Sequence, residues 1–192
     1  MTNTNIPIYL ASKSPRRRKL LKQIGINFKS FSVEINEEPL KNELPLKCVK
    51  RLSAEKLSEA LKKIHKGIII TADTIVVLDN KIINKPRNKK EAVKYLKMLS
   101  GRTHTVYTGF CIYNSANKKK VSEYEKTKVE FRELFDDEIK EYVDSGSPMD
   151  KAGAYGIQDD FGAVFVKKIT GCYYNVVGLP LTKIYESLKK VI

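Results

Sequence analysis

Four stretches gather the residue types that do chemistry. Residues 6–21, IPIYLASKSPRRRKLL, run from an apolar segment through Ser12, Lys13, Ser14 and Pro15 into three consecutive arginines. A helix starting there presents unbonded N–H groups and partial positive charge, and Ser12, Ser14, Arg16 and Arg17 add donors suited to phosphate oxygens. The plainer reading is an ordinary capped helix with solvated arginines. It is not a Walker loop, because the pattern GxxxxGK[ST] is absent. In the second stretch, ADTIVVL, Asp73 sits inside an otherwise apolar run. A desolvated carboxylate there is costly unless a cation or hydrogen-bond donors meet it. The alternative is that Asp73 and Thr74 mark a bulge or turn between two short strands. Lys85, before Pro86, follows a tight turn that would bring it back near Asp73; otherwise it is a surface lysine. The third stretch, DKAGAYGIQ at 150–158, has the small residues and glycines of a loop that a planar ligand passes closely, with a terminal amide at Gln158. Against it stands a flexible surface loop, although Tyr155 and Ile157 are apolar. The fourth, YYNVVGLPL at 173–181, yields only strand, turn and helix start. Glu37, Glu38 and Lys56 read as single solvated charges.

The elements that must position these groups alternate between β and α patterns. Ile6–Leu10 reads as a strand and Pro15–Ile24 as a helix, with Ser14 as N-cap, Pro15 at the first helical position and Gly25 as the stop. A short strand at Phe28–Val33 precedes a helix at Leu46–Ile64, where Val49, Leu52, Leu57, Leu61 and Ile64 share a face. Ile68–Leu78 is the most apolar strand, and Asp79-Asn80 turns it into Lys81–Ile83. Asn88 and Glu91 resemble a capping box for a helix at Lys89–Leu99 that Gly101 ends. His104–Tyr113 and Val121–Phe131 are long strands around the polar turn at Asn114–Lys120. A helix at Asp136–Asp144, a late strand at Phe161–Val166 and a closing helix at Pro180–Val191 complete the chain. The long central hairpin argues against a purely parallel sheet, so the class is α/β with a mixed sheet.

Composition bounds the rest. The 192 residues, 42% hydrophobic and 30% charged, suffice for a real core. No segment approaches the ~18–20 apolar residues of a membrane span, and the N-terminus lacks the basic region of a signal peptide. A cytoplasmic protein is expected. Cys48, Cys111 and Cys172 form no CxxC pair, and with His65 and His104 as the only histidines a metal site would rest on carboxylates, hence on a hard cation such as Mg²⁺ or Mn²⁺. The net charge of +14 raises a nucleic-acid partner. The lysines are instead spread along the chain among acids, and a basic site for a small polyphosphate accounts for the same charge; no nucleic acid is expected.

Taken together, LASKSPRR, ADTIVVLD, KP, LSGRTHTVYTGF, DKAGAYGIQ and NVVGLPL resemble, in their order and spacing, the Maf-like family of nucleotide pyrophosphatases. The resemblance runs from about Tyr9 to Leu181 and implies one Maf-like domain over residues 1–192. It implies the fold shared with the inosine triphosphate pyrophosphatases: an elongated mixed β-sheet flanked by helices, in two lobes with a central cleft. It implies cleavage of a nucleoside triphosphate to the monophosphate and pyrophosphate with a divalent cation. Asp73 matches the family's proton acceptor. Arg16, Thr74 and Gln158 match positions tied to base specificity, and the GIQ form resembles the branch acting on dTTP and UTP rather than on 7-methyl-GTP. Glu37, with Glu38 beside it, and Lys56 and Lys85 match polar positions lining the family's cleft. The chain departs from the family where Asp159 and Asp160 follow Gln158, which bears on substrate preference.

The expected chemistry is hydrolysis between the α and β phosphates. Asp73 either orients or deprotonates the attacking water or joins Glu37 in holding Mg²⁺ or Mn²⁺, since it cannot be a tight ligand and a free base at once, and Ser12, Ser14, Arg17, Lys56 and Lys85 bind phosphate oxygens. Gln158 reads a uracil or thymine edge, because its amide carries both a donor and an acceptor. The same sequence leaves open a basic nucleic-acid-binding or septum-related regulator, a nucleotide-binding protein without activity, and a homodimer.

Overall fold

The computed structural model describes residues 6–158 and 161–192, so the Asp159-Asp160 departure lies outside the described residues. The strands are β1 (Ile8–Ala11), β2 (Lys29–Phe31), β3 (Ile68–Leu78), β4 (Lys81–Ile83), β5 (Thr103–Asn114), β6 (Lys120–Phe131) and β7 (Val166–Thr170). The helices are α1 (Pro15–Gln23), α2 (Pro45–Leu61), α3 (Lys89–Leu99), α4 (Asp136–Asp144), α5 (Tyr173–Val177) and α6 (Leu181–Val191). One seven-stranded sheet has the order β2-β1-β3-β5-β6-β7, with β4 paired to β3. β1 runs parallel to both β2 and β3, whereas β3–β4 and β6–β7 are antiparallel. The mixed α/β class expected from the central hairpin is therefore what forms.

Two compact units divide this chain. One comprises Met1–Asp73, Thr108–Glu125 and Gly178–Ile192; the other comprises Thr74–Tyr107 and Lys126–Val177. In the first, Ala11, Leu57, Ala60, Ile69 and Cys111 form an apolar cluster beneath α2. The approach of α2 to β5 is close enough that a Cβ on Gly109 would lie 2.4 Å from the Val49 carbonyl oxygen, so this strand position tolerates no side chain. In the second unit, Leu96 and Leu99 from α3, Ile139, Tyr142 and Val143 from α4, and Phe131 and Phe165 build a larger aromatic-rich core.

Local chemistry explains most boundaries. The Ser14 hydroxyl accepts from Arg17 N at 3.4 Å and caps α1, and Gly25 follows at φ 69°. Asp79 and Asn80 both adopt positive φ, 48° and 61°, as a two-residue turn between right-twisted strands requires. The Asn88 carboxamide accepts from Glu91 N at 2.9 Å, but the Glu91 carboxylate reaches Arg87 N rather than closing a capping box on Asn88.

Three further expectations fail. Phe161–Phe165 is a 3-10 helix and the late strand begins only at Val166, because Phe165 fills the core from a helical turn while Phe161 stays exposed. Residues 173–177, YYNVV, form a short helix instead of a strand. Pro180 is the N-cap of α6, one position before its expected place.

Candidate active site

In the first unit the charged candidates converge on Lys56. This residue lies on the buried face of α2, one turn past Leu52 and two past Val49, and is only 7% exposed. Its Nζ donates to Asp73 Oδ1 at 2.5 Å and to Glu37 Oε1 at 2.7 Å. Asp73 is itself 6% exposed, whereas the Glu37 side chain is about half exposed at 45%. The carboxylate expected to be costly inside an apolar strand is thus met by a cation. β3 is continuous from Ile68 to Leu78, so Asp73 marks no break. It occupies the interval between Ile68–Ile70, which pair with β1, and Val76–Leu78, which pair with β4.

The segment carrying Glu37 is tied to the same helix. Arg51 of α2 holds both oxygens of Glu43 at 2.7 Å and donates to the Glu38 carbonyl at 3.2 Å. The hydrogen bonds from Arg51 hold the Glu43 carboxyl down at a pKa of about 2, against the opposing effect of its burial. It is Glu37, and not Glu38, whose carboxylate reaches Lys56.

The Ser-Arg stretch sits beside this cluster and is built inward. Arg17 is buried, with Nε donating to the Gly178 carbonyl at 2.8 Å and Nη1 to the Ala72 carbonyl at 2.9 Å and Ser12 Oγ at 3.3 Å. Burial lowers the Arg17 pKa, and the charges of Asp73 and Glu37 oppose that shift. The guanidinium therefore joins α1 to the β3 residue immediately before Asp73 and to the turn ahead of α6. Ser12 Oγ also accepts from Ser14 N at 3.2 Å, which leaves its hydroxyl proton available to an outside acceptor. Ser14 and Arg16 are half-buried, and Lys13 points to an exposed ion pair with Glu34 at 2.9 Å.

The second unit holds Thr74, Lys85 and Gln158. The register that pairs Val76 with Ile83 sets Lys85 level with Thr74, just past the end of β4; Lys85 is exposed and Thr74 half-buried. The 150–158 stretch is no loose surface loop. Gly153 adopts φ 72° and packs so that a Cβ there would meet Val76 at 3.0 Å, and its N–H donates to the Asn84 carbonyl at 3.2 Å. Tyr155 is buried, and Gly156 N donates to the Tyr142 hydroxyl at 3.1 Å. At the end of this anchored path Gln158 Oε1 is buried with no hydrogen-bond partner among the described residues. In the NVVGLPL stretch, Asn175 Nδ2 donates to the Val106 carbonyl and to Thr127 Oγ1, both at 3.0 Å, and so holds the second unit's own strands.

The cluster of Lys56 with two acids escaped a reading that counted charges singly. The signal was present in the spacing of Val49, Leu52 and Lys56, which sets the lysine on the apolar stripe of α2. Among the described residues no group of three or more His, Cys, Asp or Glu gathers as a metal cage. Glu37 and Asp73 nonetheless converge on a single cation, a hard-oxygen pair of the kind that holds Mg²⁺ when water and substrate phosphates complete the shell. No helix among the described residues is long and apolar enough to cross a membrane.

Comparison with known proteins bears on this arrangement. The sequence profile of the family described as "Maf-like protein" matches residues 7–191. A protein of Carboxydothermus hydrogenoformans named dTTP/UTP pyrophosphatase is 49% identical over 183 residues, 95% of this chain and 97% of that one. A protein of the same name from Syntrophomonas wolfei is 45% identical over 181 residues, 94% of this chain and 95% of its own length. Another from Clostridium perfringens is 44% identical over 185 residues, 95% of each chain.

Proposed function

Since this chain belongs to the Maf-like protein family, we propose that it is a nucleoside triphosphate pyrophosphatase acting on dTTP and UTP, and that residues 1–192 work as one Maf-like domain. The observation that carries the chemistry is the buried Asp73 carboxylate, held by Lys56 between the two ladders of β3. A carboxylate so fixed can serve as a general base, one oxygen being committed to Lys56. Lys56 engages Oδ1, and Oδ2 accepts a proton from the attacking water. The water oxygen bonds to the α-phosphorus, the bond from that phosphorus to the α–β bridging oxygen breaks, and pyrophosphate leaves with the electron pair.

Phosphoryl transfer depends chiefly on positioning and on charge neutralisation. Ser12, Ser14, Arg17, Lys56 and Lys85 are assigned to the phosphate oxygens, Arg17 being also tied to the Ala72 and Gly178 carbonyls. Glu37 would hold a divalent cation, Mg²⁺ or Mn²⁺, which when bound supplies charge neutralisation to the phosphates; Asp73 is the alternative ligand only if it gives up the role of free base. Arg16, Thr74 and Gln158 are assigned to base selection. The buried, partnerless Gln158 Oε1 supports that assignment. The imide N–H of uracil or thymine would donate to it, whereas cytosine presents a bare ring nitrogen there and leaves the acceptor unmatched.

A screen tests the proposal. Purified protein is incubated with each common ribo- and deoxyribonucleoside triphosphate and Mg²⁺ or Mn²⁺, and monophosphate and pyrophosphate are measured. Turnover of dTTP and UTP above CTP and the purine nucleotides is expected. Binding without product would identify an inactive nucleotide-binding protein. Tight salt-sensitive binding to polynucleotide without turnover would favour the regulator reading instead.

A further inference from the structure

We propose that His104 and Tyr155 form a positioning pair that sets the orientation of the 155–158 turn and, through it, the nucleobase selectivity exerted at Gln158. The inference rests on the reading of Gln158 as the base-reading residue. Nothing in that reading assigns a role to His104 or Tyr155, which lie inside the second unit's core.

His104 Nε2 is 2.8 Å from the Tyr155 hydroxyl. Both residues are buried, at 1% and 5% exposure. Their rings meet edge to face at 5.3 Å, and both stand edge-on to Phe131, at 5.0 Å from His104 and 4.7 Å from Tyr155. Burial pulls the His104 pKa down to about 3 and pushes that of Tyr155 up, so near neutral pH the bond joins two uncharged groups. The other ring nitrogen, Nδ1, is buried with no partner among the described residues.

An apolar ring at 104 would fill this core without leaving a nitrogen unmatched. Phe131 stands against the imidazole, in a core that also holds Phe165, Tyr142 and Leu96. What the polar pair adds is direction: a hydrogen bond ties the Tyr155 hydroxyl to one point, which apolar ring contacts do not do. That tilt matters because the chain leaves Tyr155 directly for Gln158. Gly153, hydrogen-bonded to the Asn84 carbonyl and pressed on Val76, fixes the near side of the turn. Gly156, on the Tyr142 hydroxyl, fixes the next peptide. Tyr155 lies between these ties, and a small rotation there moves the carboxamide of Gln158, which must present donor and acceptor in one plane to read a base edge.

The test compares kcat/KM for UTP with that for CTP in four variants, each assayed below its measured melting temperature. Tyr155→Phe, which removes a single oxygen, is expected to lower the UTP-to-CTP ratio by about threefold to tenfold, the worth of one hydrogen bond, through KM for UTP with kcat little changed. His104→Phe should reproduce that loss. His104→Gln, whose amide nitrogen can still donate to the Tyr155 hydroxyl, should restore the ratio, a rescue that loss of stability alone would not produce. Gln158→Ala is the control for the underlying reading. If it collapses the ratio while Tyr155→Phe keeps the wild-type value, the positioning role is overturned and the base-reading role stands. If Gln158→Ala itself leaves the ratio unchanged, both are overturned. Should His104→Phe fail to fold, Tyr155→Phe decides alone.

Discussion

The two units carry their candidate site residues in different states of completion. In the first, the buried charges are already matched: Arg17 on two carbonyls, Lys56 on two carboxylates. In the second, the carboxamide oxygen of Gln158 is buried and has no partner among the described residues. The difference follows from cost. An unmatched buried charge is too unfavourable to hold in waiting, so charged machinery stays assembled by internal pairing. An unmatched amide oxygen costs only about 1–3 kcal/mol and can be left for a ligand to satisfy. The groups proposed to act on phosphates are thereby preorganised, and the group proposed to read the base is left open.

That contrast can be broken at several points. The largest effect is expected at Asp73. Asp73→Asn keeps a hydrogen-bond acceptor for Lys56 but cannot take a proton, so pyrophosphate release should fall by about 10²–10⁴-fold with the thermal transition preserved. Near-normal release by that variant would remove Asp73 from the mechanism. Lys56→Met tests whether the first region is closed by pairing. It leaves Asp73 buried without its cation, and denaturant unfolding should show a loss of about 3 kcal/mol. A loss below about 1 kcal/mol would mean that solvent already screens the pair.

Gln158→Ala probes the opposite case. It deletes a buried acceptor with no partner among the described residues, so stability should hold or rise, by up to about 1–3 kcal/mol, while the ranking of UTP, dTTP and CTP is lost. An unchanged ranking would contradict the base-reading role. A pH series gives the smallest effect. His104 is held neutral by burial, so the unfolded chain binds a proton at its ordinary pKa of about 6.5 and the folded one only near 3. The stability this contributes is full above pH 6.5 and drains as pH falls through that window, by about 1 kcal/mol at pH 5.5. His104→Phe should show a shallower decline over the same range, and an equal decline would place the titration elsewhere.

The sequence was most legible where local rules act alone. The bounds of β3, α3 and α4 follow from an apolar run, an Asn cap and a glycine stop. It was least legible at 161–177, where Phe161, Phe165, Tyr173 and Tyr174 have strand-like types but lie in helical turns, because packing decides between the two for short aromatic segments. The site divides the same way. Asp73 announced itself as a charge in an apolar strand, whereas Lys56 and Glu37 looked solvated because nothing local tells a lysine on an apolar stripe which acid will meet it. Arg17 was read as reaching out to phosphate, and the carbonyls of Ala72 and Gly178 that it binds are 55 and 161 residues away in the chain. The pairing of His104 with Tyr155, 51 residues apart, was equally invisible.

The most direct test of the central claim is hydrolysis of dTTP in ¹⁸O-labelled water with Mg²⁺, read by mass spectrometry of the products. Attack at the α-phosphorus predicts one labelled oxygen in thymidine monophosphate and unlabelled pyrophosphate. Label in the pyrophosphate, or release of the diphosphate with labelled orthophosphate, would contradict it.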